Sequence, residues 1–395
     1  MSTELASALI WVFWISSGLI LYTYFCYPLL LTAVARWRKD RRPAAGGDWR
    51  PRVSLCFAAY NEEAVIAGKM RNCAALDYPA DRLEILVGCD GCSDRTAELA
   101  RADGPPNARI FDYKERSGKL RVLNRLFEEA RGEIIVLTDA STLLQEDAVR
   151  CLVRHFTDPD VGCACGEMRL SARGGRPRTE SLHWRYEVFL KVLESRLNAL
   201  VGASGCVYAI RRSHFSPLPP NAINEDFLIP MFIRAGGHRV VYDRDAVGVE
   251  EEAPMQQNFS RHVRIGAGNW HALRLTARLL SPTAGWIALS YWSHKVFRWL
   301  IPFLIPVSVL SALLLALDGR PFYAVCTALA AALVLLALVG HRIETGPDHG
   351  HGRALFSVPY YFFSMNLALL FGFARFLTGR QTATWDRGGH AKDRL

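Results

Sequence analysis

Three short apolar runs each lead to a residue that could bind or activate a substrate. Val53–Ala59 ends at Tyr60, Leu83–Gly88 leads into Asp90, and Ile134–Thr138 stops at Asp139. Carboxylates gathered at the mouth of a nucleotide-sized crevice suit Mg2+ or Mn2+, hard cations that take oxygen ligands and keep positions open for phosphate oxygens. Taken singly, Asp90 or Asp139 could equally cap the helix that follows it. A phosphate loop ending in Lys-Ser or Lys-Thr is absent, since Ser117-Gly118-Lys119 is too short for one, and the Gly-x-Gly-x-x-Gly dinucleotide fingerprint is absent too. ATP hydrolysis by that route is therefore disfavoured.

The elements that must position these residues read as strands and helices in alternation. The three apolar runs have the length and composition of buried strands, and a helix-like stretch through Leu120, Leu123, Leu126, Phe127 and Ala130 precedes the third. Strand, loop and helix in repetition predict an α/β domain over 50–270 with a mostly parallel sheet flanked by helices. In such sheets ligands bind beyond the carboxyl ends of the strands, where Tyr60, Asp90 and Asp139 all fall.

Half of the 395 residues are hydrophobic and 22% are charged, so the apolar excess must be localised. Residues 5–35 carry no Asp, Glu, Lys or Arg and predict an N-terminal anchor; Arg36, Arg38, Lys39, Arg41 and Arg42 follow it, the reverse of a secretory signal. Further uncharged stretches at 299–317, 321–340 and 354–374 predict about three C-terminal transmembrane helices within 299–377, followed by a tail over 378–395. Trp286, Tyr291 and Trp292 mark 271–298 as interfacial. The basic cluster after the anchor places the 50–270 domain in the cytoplasm, and the expected location is a bacterial inner membrane. The net charge of +9 admits anionic partners, but the basic residues gather at membrane flanks instead of interleaving with aromatics, so no nucleic-acid partner is expected.

Ala58-Ala59-Tyr60-Asn61-Glu62-Glu63, Leu76-Asp77-Tyr78-Pro79, Asp90-Gly91-Cys92-Ser93-Asp94, Gly118-Lys119, Thr138-Asp139-Ala140-Ser141 and Asn224-Glu225-Asp226 stand in the order seen in membrane-bound family 2 glycosyltransferases. The chain resembles that family, which includes cellulose, chitin and hyaluronan synthases, across its whole cytosolic part. The resemblance implies a GT-A nucleotide-sugar-binding domain between membrane helices, and a hexosyl- or N-acetylhexosaminyl-transferase using Mg2+ or Mn2+. It implies a UDP-sugar donor, with Tyr60 stacked on the uracil, Asp90 hydrogen-bonded to it, Glu62 near the ribose and Lys119 among the donor-binding groups. Asp139 would hold the metal, and Asp226 would be the general base for a saccharide or lipid-linked saccharide acceptor. Glu225 beside Asp226 could raise its proton affinity toward what a base needs; a helix N-cap is the alternative reading of Asp226.

Two departures shape the expectation. Ser141 stands where many members carry a second acidic residue, so metal binding rests on Asp139. Arg261-His262-Val263-Arg264-Ile265 stands where processive synthases carry Gln-x-x-Arg-Trp, which favours addition of one sugar over extrusion of a long polymer. Arg261 and Arg264 are expected to clamp the diphosphate or to face lipid head groups. Trp270 is expected as an acceptor platform or an interfacial anchor. Cys89, Cys92, Cys163 and Cys165 read as small buried thiols rather than zinc ligands. A processive synthase and, from another class, a membrane transporter with a nucleotide-sensing domain are the competing readings.

Overall fold

The computed structural model describes residues 1–38, 49–171, 179–219, 222–251, 255–345 and 354–379. Lys39, Arg41 and Arg42 of the first basic cluster, and 380–395 of the expected tail, lie outside the described residues.

Among the described residues eight strands form one sheet: β1 (Val53–Ala59), β2 (Leu83–Asp90), β3 (Ala108–Tyr113), β4 (Ile134–Thr138), β5 (Leu143–Leu144), β6 (Val161–Ser171), β7 (Val207–Arg211) and β8 (Arg239–Glu251), in the order β3-β2-β1-β4-β7-β6-β8-β5. Strands β3, β2, β1 and β4 run parallel. The remainder is mixed, because β7 enters antiparallel to both β4 and β6 while β6 and β8 pair in parallel. The apolar runs of β1 and β4 are buried throughout, as expected of strands covered on both faces. Helices Ile66–Ala74 and Thr96–Ala102 cover one face, and helix Lys119–Glu129 covers the other with Leu120, Leu123, Leu126 and Phe127.

Among the described residues four helices are long and apolar enough to cross a membrane: Thr3–Ala35, Trp286–Leu317, Pro321–Glu344 and Ala354–Leu377. The first contains a π-helical stretch at Tyr22–Cys26 and packs on the second, where Ser17 and Ser308 share a hydrogen bond of 2.6 Å and Tyr22 and Ser293 one of 2.8 Å. The second is helical without a break through the π stretch Tyr291–Val296, so residues expected at head-group depth and the first late span form one element.

Helix Met255–Leu275 connects the sheet to this bundle. It lies on helix Ala354–Leu377, and the approach depends on glycine, since a Cβ at Gly372 would stand 2.7 Å from the Val263 carbonyl oxygen. Thus the segment that carries Arg261 and Arg264 is fixed against a candidate span.

Candidate active site

The loops after β1 and β2 are knitted together by their own side chains. Asn61, at φ +51°, accepts from the Ser93 amide at 2.9 Å, and Asp94 accepts from the Glu63 amide at 3.1 Å and the Thr96 amide at 3.0 Å. Short polar side chains favour such backbone-bonded turns, which explains the Asn and Asp at these positions. Tyr60 is half-buried at this rim, and the guanidinium of Arg116 lies 3.9 Å from its ring centroid. Glu62 is set deeper, buried where its amide donates to Thr96 Oγ1 at 2.7 Å.

Asp90 is fully buried and cradles the turn before the next helix. Its Oδ1 accepts from the Ser117 amide at 2.6 Å, and its Oδ2 accepts from the Gly118 amide at 2.8 Å. Gly91 is required opposite: it adopts φ +64°, and a Cβ there would meet the Arg116 nitrogen at 2.7 Å. Asp90 thereby sets where the Lys119–Glu129 helix begins.

Lys119, first in that helix, reaches across the rim. Its Nζ is 2.6 Å from Asp139 Oδ1 and also forms an ion pair with Glu225. Burial pulls its proton affinity down, but the two carboxylates outweigh that and hold Lys119 well above the ordinary lysine value. Asp139 sits at the end of β4 with 24% of its side chain exposed. Beneath its loop the fully buried Lys69 donates to Thr138 Oγ1 at 3.1 Å and to the Thr142 carbonyl at 2.6 Å. Thr142 in turn donates to Glu250 at 2.7 Å, and Arg261 Nη1 lies 4.0 Å from the same carboxylate.

Asp226 begins the helix Glu225–Ala235 beside these groups. The residue at the cap position is Asn224, whose amide donates to the Ile265 carbonyl at 3.1 Å and ties the Asn-Glu-Asp motif to the Met255–Leu275 helix. Burial, then the adjacent Glu225 charge, raises the Asp226 carboxyl above its ordinary value, partly offset by Lys119, Lys191 and Arg261. Gly205 lets the preceding loop approach it: a Cβ there would stand 3.0 Å from Asp226 Oδ2. Arg264 is lowered from the usual arginine range chiefly by burial, against the opposing pull of Glu225, Asp139 and Asp226, and the Asn224–Ile265 hydrogen bond sets its segment beside the Asn-Glu-Asp motif.

The expected residues Lys119, Asp139, Asp226 and Arg264 thus gather along one rim, with Asp90 buried beneath it under the Ser117–Gly118 turn, Tyr60 joined through Arg116 and Arg261 half-exposed at the far edge. Sequence reasoning missed Glu225 as a direct partner of Lys119, Arg116 against Tyr60, and Lys69 and Lys191 behind the site. The last two carry a readable signal, a lysine inside an apolar helical stripe: Ile66, Lys69, Met70 and Cys73, and Leu190, Lys191, Leu193 and Leu197. Trp270 packs into an aromatic cluster with Trp299, Phe303 and Phe373, the last at 4.9 Å. Among the described residues no three His, Cys, Asp or Glu side chains form a metal-holding group. Asp139 with Ser141 nevertheless offers an oxygen-only donor set at a partly open strand end, which suits a hard cation that keeps most of its coordination for phosphate oxygens and water.

Residues 51–264, more than half of the chain, match the family described as glycosyltransferase like family 2. The chain belongs to that family. A poly-beta-1,6-N-acetyl-D-glucosamine synthase of Staphylococcus aureus is 25% identical over 239 residues, which make up 59% of this chain and 56% of the relative. An N-acetylglucosaminyltransferase of a Rhizobium species is 25% identical over 251 residues, covering 57% and 56% of the two chains. The chain therefore spans about half the length of these relatives. A mannosyltransferase of Pyrobaculum calidifontis, solved with GDP-Man and Mn2+, shares the fold with a TM-score of 0.73 at 24% identity, covering 93% of this chain and 99% of that one. The likeness extends over the GT-A sheet and the apolar helices together.

Proposed function

We propose that this family 2 member is a membrane-embedded inverting glycosyltransferase. It moves a sugar, with N-acetylglucosamine the first candidate, from a UDP-sugar to a saccharide or lipid-linked saccharide in surface polysaccharide synthesis. The observation that carries the reading is the double ion pair of Lys119, which holds Asp139 at the end of β4 and Glu225 at the start of the helix that carries Asp226 on one rim. In this reading Asp226 takes the proton of the acceptor hydroxyl. The acceptor oxygen forms its bond to the anomeric carbon from the side opposite the diphosphate, which departs with the electron pair, so the configuration inverts. Tyr60 and Asp90 shape the base pocket, Asp90 through the Ser117–Gly118 turn it holds, while Glu62 supports the loop beside the ribose. Lys119, Arg264 and Arg261 bind the diphosphate.

Asp139, aided by the Ser141 hydroxyl, would hold Mg2+ or Mn2+, and the bound ion would neutralise charge developing on the leaving diphosphate. Helix Thr3–Ala35 and the three late helices serve as the membrane part, and Arg36 and Arg38 at the end of the first support, by the positive-inside rule, a 50–270 domain on the cytoplasmic side, in this reading that of a bacterial inner membrane, against its lipids.

The test is to incubate membranes holding the full chain with UDP-N-acetylglucosamine or GDP-mannose, with Mn2+ and with EDTA. Nucleotide release expected with one donor and Mn2+ is lost in EDTA and in Asp226→Asn, while UDP or GDP binding survives in that variant. Undiminished release in Asp226→Asn removes the base assignment. A processive synthase is the second reading, favoured by the polymer named for the Staphylococcus relative; a product ladder instead of single additions decides for it.

A further inference from the structure

Lys191 makes a buried contact that the reading above does not use. Lys191 lies on helix Thr179–Arg196 with only 5% of its surface exposed. Its Nζ donates to Ser204 Oγ at 2.8 Å and to the Ala203 carbonyl at 3.3 Å. That loop is the one pressed on the base candidate. The Ala203 amide donates to the Asp226 carbonyl at 2.8 Å, and Gly205 faces the Asp226 carboxylate at the closest distance a Cβ would tolerate.

The rings of Trp184 and Tyr242 flank the ammonium, each centroid 5.9 Å away, and they replace part of the water it gave up. Burying an ammonium is costly unless its donors are used, and here they go to the Ser204 hydroxyl and the Ala203 carbonyl of one turn. Both contacts reach the same turn, so the buried ammonium holds that loop to the helix.

The helix carrying Lys191 is itself anchored from the other side. His294 sets one ring nitrogen 2.7 Å from Glu194 and the other 3.1 Å from Glu187, Tyr27 donates to Glu194 at 2.8 Å, and Arg298 pairs with Glu187. Two candidate spans, Thr3–Ala35 and Trp286–Leu317, therefore grip the helix within two turns of Lys191. A donor on so restrained a scaffold can hold a loop in place without being dragged along by it.

We propose that Lys191 is a positioning residue for the transfer step: by clamping the Ala203-Ser204-Gly205 turn it fixes Asp226 at the distance and angle from which the base reaches the acceptor hydroxyl. This rests on the reading of Asp226 as the base. Lys191 does not touch the nucleotide side of the rim, where Asp90, Lys119 and Arg264 lie, so its loss reads out in turnover and not in donor affinity. The charge of Lys191 also acts on Asp226, after burial and the opposing Glu225 and together with Lys119 and Arg261.

The experiment uses the full chain in lipid nanodiscs with Mn2+, measuring binding of UDP and GDP and turnover of the faster of UDP-N-acetylglucosamine and GDP-mannose. Lys191→Met is expected to lower kcat about 10- to 100-fold, the range for losing a charge-assisted hydrogen bond, with nucleotide Kd unchanged. Lys191→Arg recovers part of the loss. Ser204→Ala lowers kcat as well, and the double variant Lys191→Met/Ser204→Ala is no slower than Lys191→Met alone, since both remove the same clamp. Unchanged kcat in Lys191→Met, or additive losses in the double variant, overturns the proposal. If Lys191→Met loses nucleotide binding along with turnover, Ser204→Ala decides: a normal kcat there also overturns it. Asp226→Asn run alongside separates the two readings. Full turnover in Asp226→Asn removes the base assignment, whereas loss in Asp226→Asn with normal turnover in Lys191→Met removes the Lys191 proposal alone.

Discussion

Lys119 Nζ stands 2.6 Å from Asp139 Oδ1 while it also pairs with Glu225, so one ammonium ties the end of β4 to the start of the helix that carries Asp226. The two carboxylates come from segments far apart in the chain, and without the cation between them they would repel. In the proposed reading this single side chain holds the donor side and the acceptor side of the rim together, and a substitution there should disturb both.

Lys119→Met is expected to weaken UDP binding and to lower turnover by about 100-fold together. Breaking a buried pair costs about 3–5 kcal/mol, and the partial exposure of Lys119 places this case at the lower end. Isothermal titration with UDP and turnover assays on the same preparation check it; tight UDP binding in the variant contradicts the bridging role.

Asp226→Asn should make the protein more stable while abolishing transfer. Burial, reinforced by Glu225, raises the folded-state affinity of Asp226 for its proton above that of the unfolded chain. Stability from this group is therefore complete below the unfolded value of about 3.9 and is lost as pH rises through the raised folded value. At pH 7.5 the ionised carboxylate is a liability that the amide removes, so Tm rises. For the same reason the acid limb of the wild-type rate profile lies above the range of an ordinary carboxylate. A lower Tm in Asp226→Asn at pH 7.5 counts against this account.

Gly91→Ala should cost about 1–3 kcal/mol of stability from backbone strain alone, because φ is +64° there. The added Cβ also pushes on the Arg116 backbone, which displaces the turn that Asp90 holds and the guanidinium over Tyr60. Loss of UDP affinity should exceed that of Gly237→Ala, where φ is also positive and no atom lies within 4 Å of the new Cβ. Equal UDP affinity in the two variants would refute the link.

Cys92 should be the thiol on the soluble domain that alkylates fastest near neutral pH. A hydrogen bond from Cys89, working against burial and helped by the Asn61 backbone and Thr96, brings it down to about 7, while Cys89 is raised. N-ethylmaleimide labelling followed by peptide mass spectrometry measures this, and UDP should slow it because Cys92 lies one loop from Tyr60. Labelling that favours the buried Cys56 or Cys73 would show that the pair does not behave this way.

How much of this was legible in the sequence follows from what each element needs. Strands β1 and β4 and the helix after Gly118 could be read because strands covered on both faces are continuously apolar and the helix has one apolar stripe. The insertion of β7 between β4 and β6 could not, since Val207–Arg211 looks the same whichever way its partners run, and direction is set by the long connection before it. Asp90 and Asp139 were found because they end apolar strand runs, whereas Asp226 came from the resemblance of Asn224-Glu225-Asp226 to the family's motif. Glu225 was read only as a neighbour of Asp226, because pairing with Lys119 depends on the fold bringing residues more than a hundred positions apart into contact. Lys69 and Lys191 were missed because a lysine is normally assigned to solvent, and only the tertiary structure shows which backbone carbonyls and hydroxyls receive its protons.

At Gly266 and Gly372 the helix of Arg261 and Arg264 meets the last apolar helix backbone to backbone. Such a joint has no compliant layer to absorb displacement. A bilayer thin or thick enough to tilt Ala354–Leu377 would carry both guanidinium groups with it, and lipid thickness would then act as a tuning screw on donor affinity.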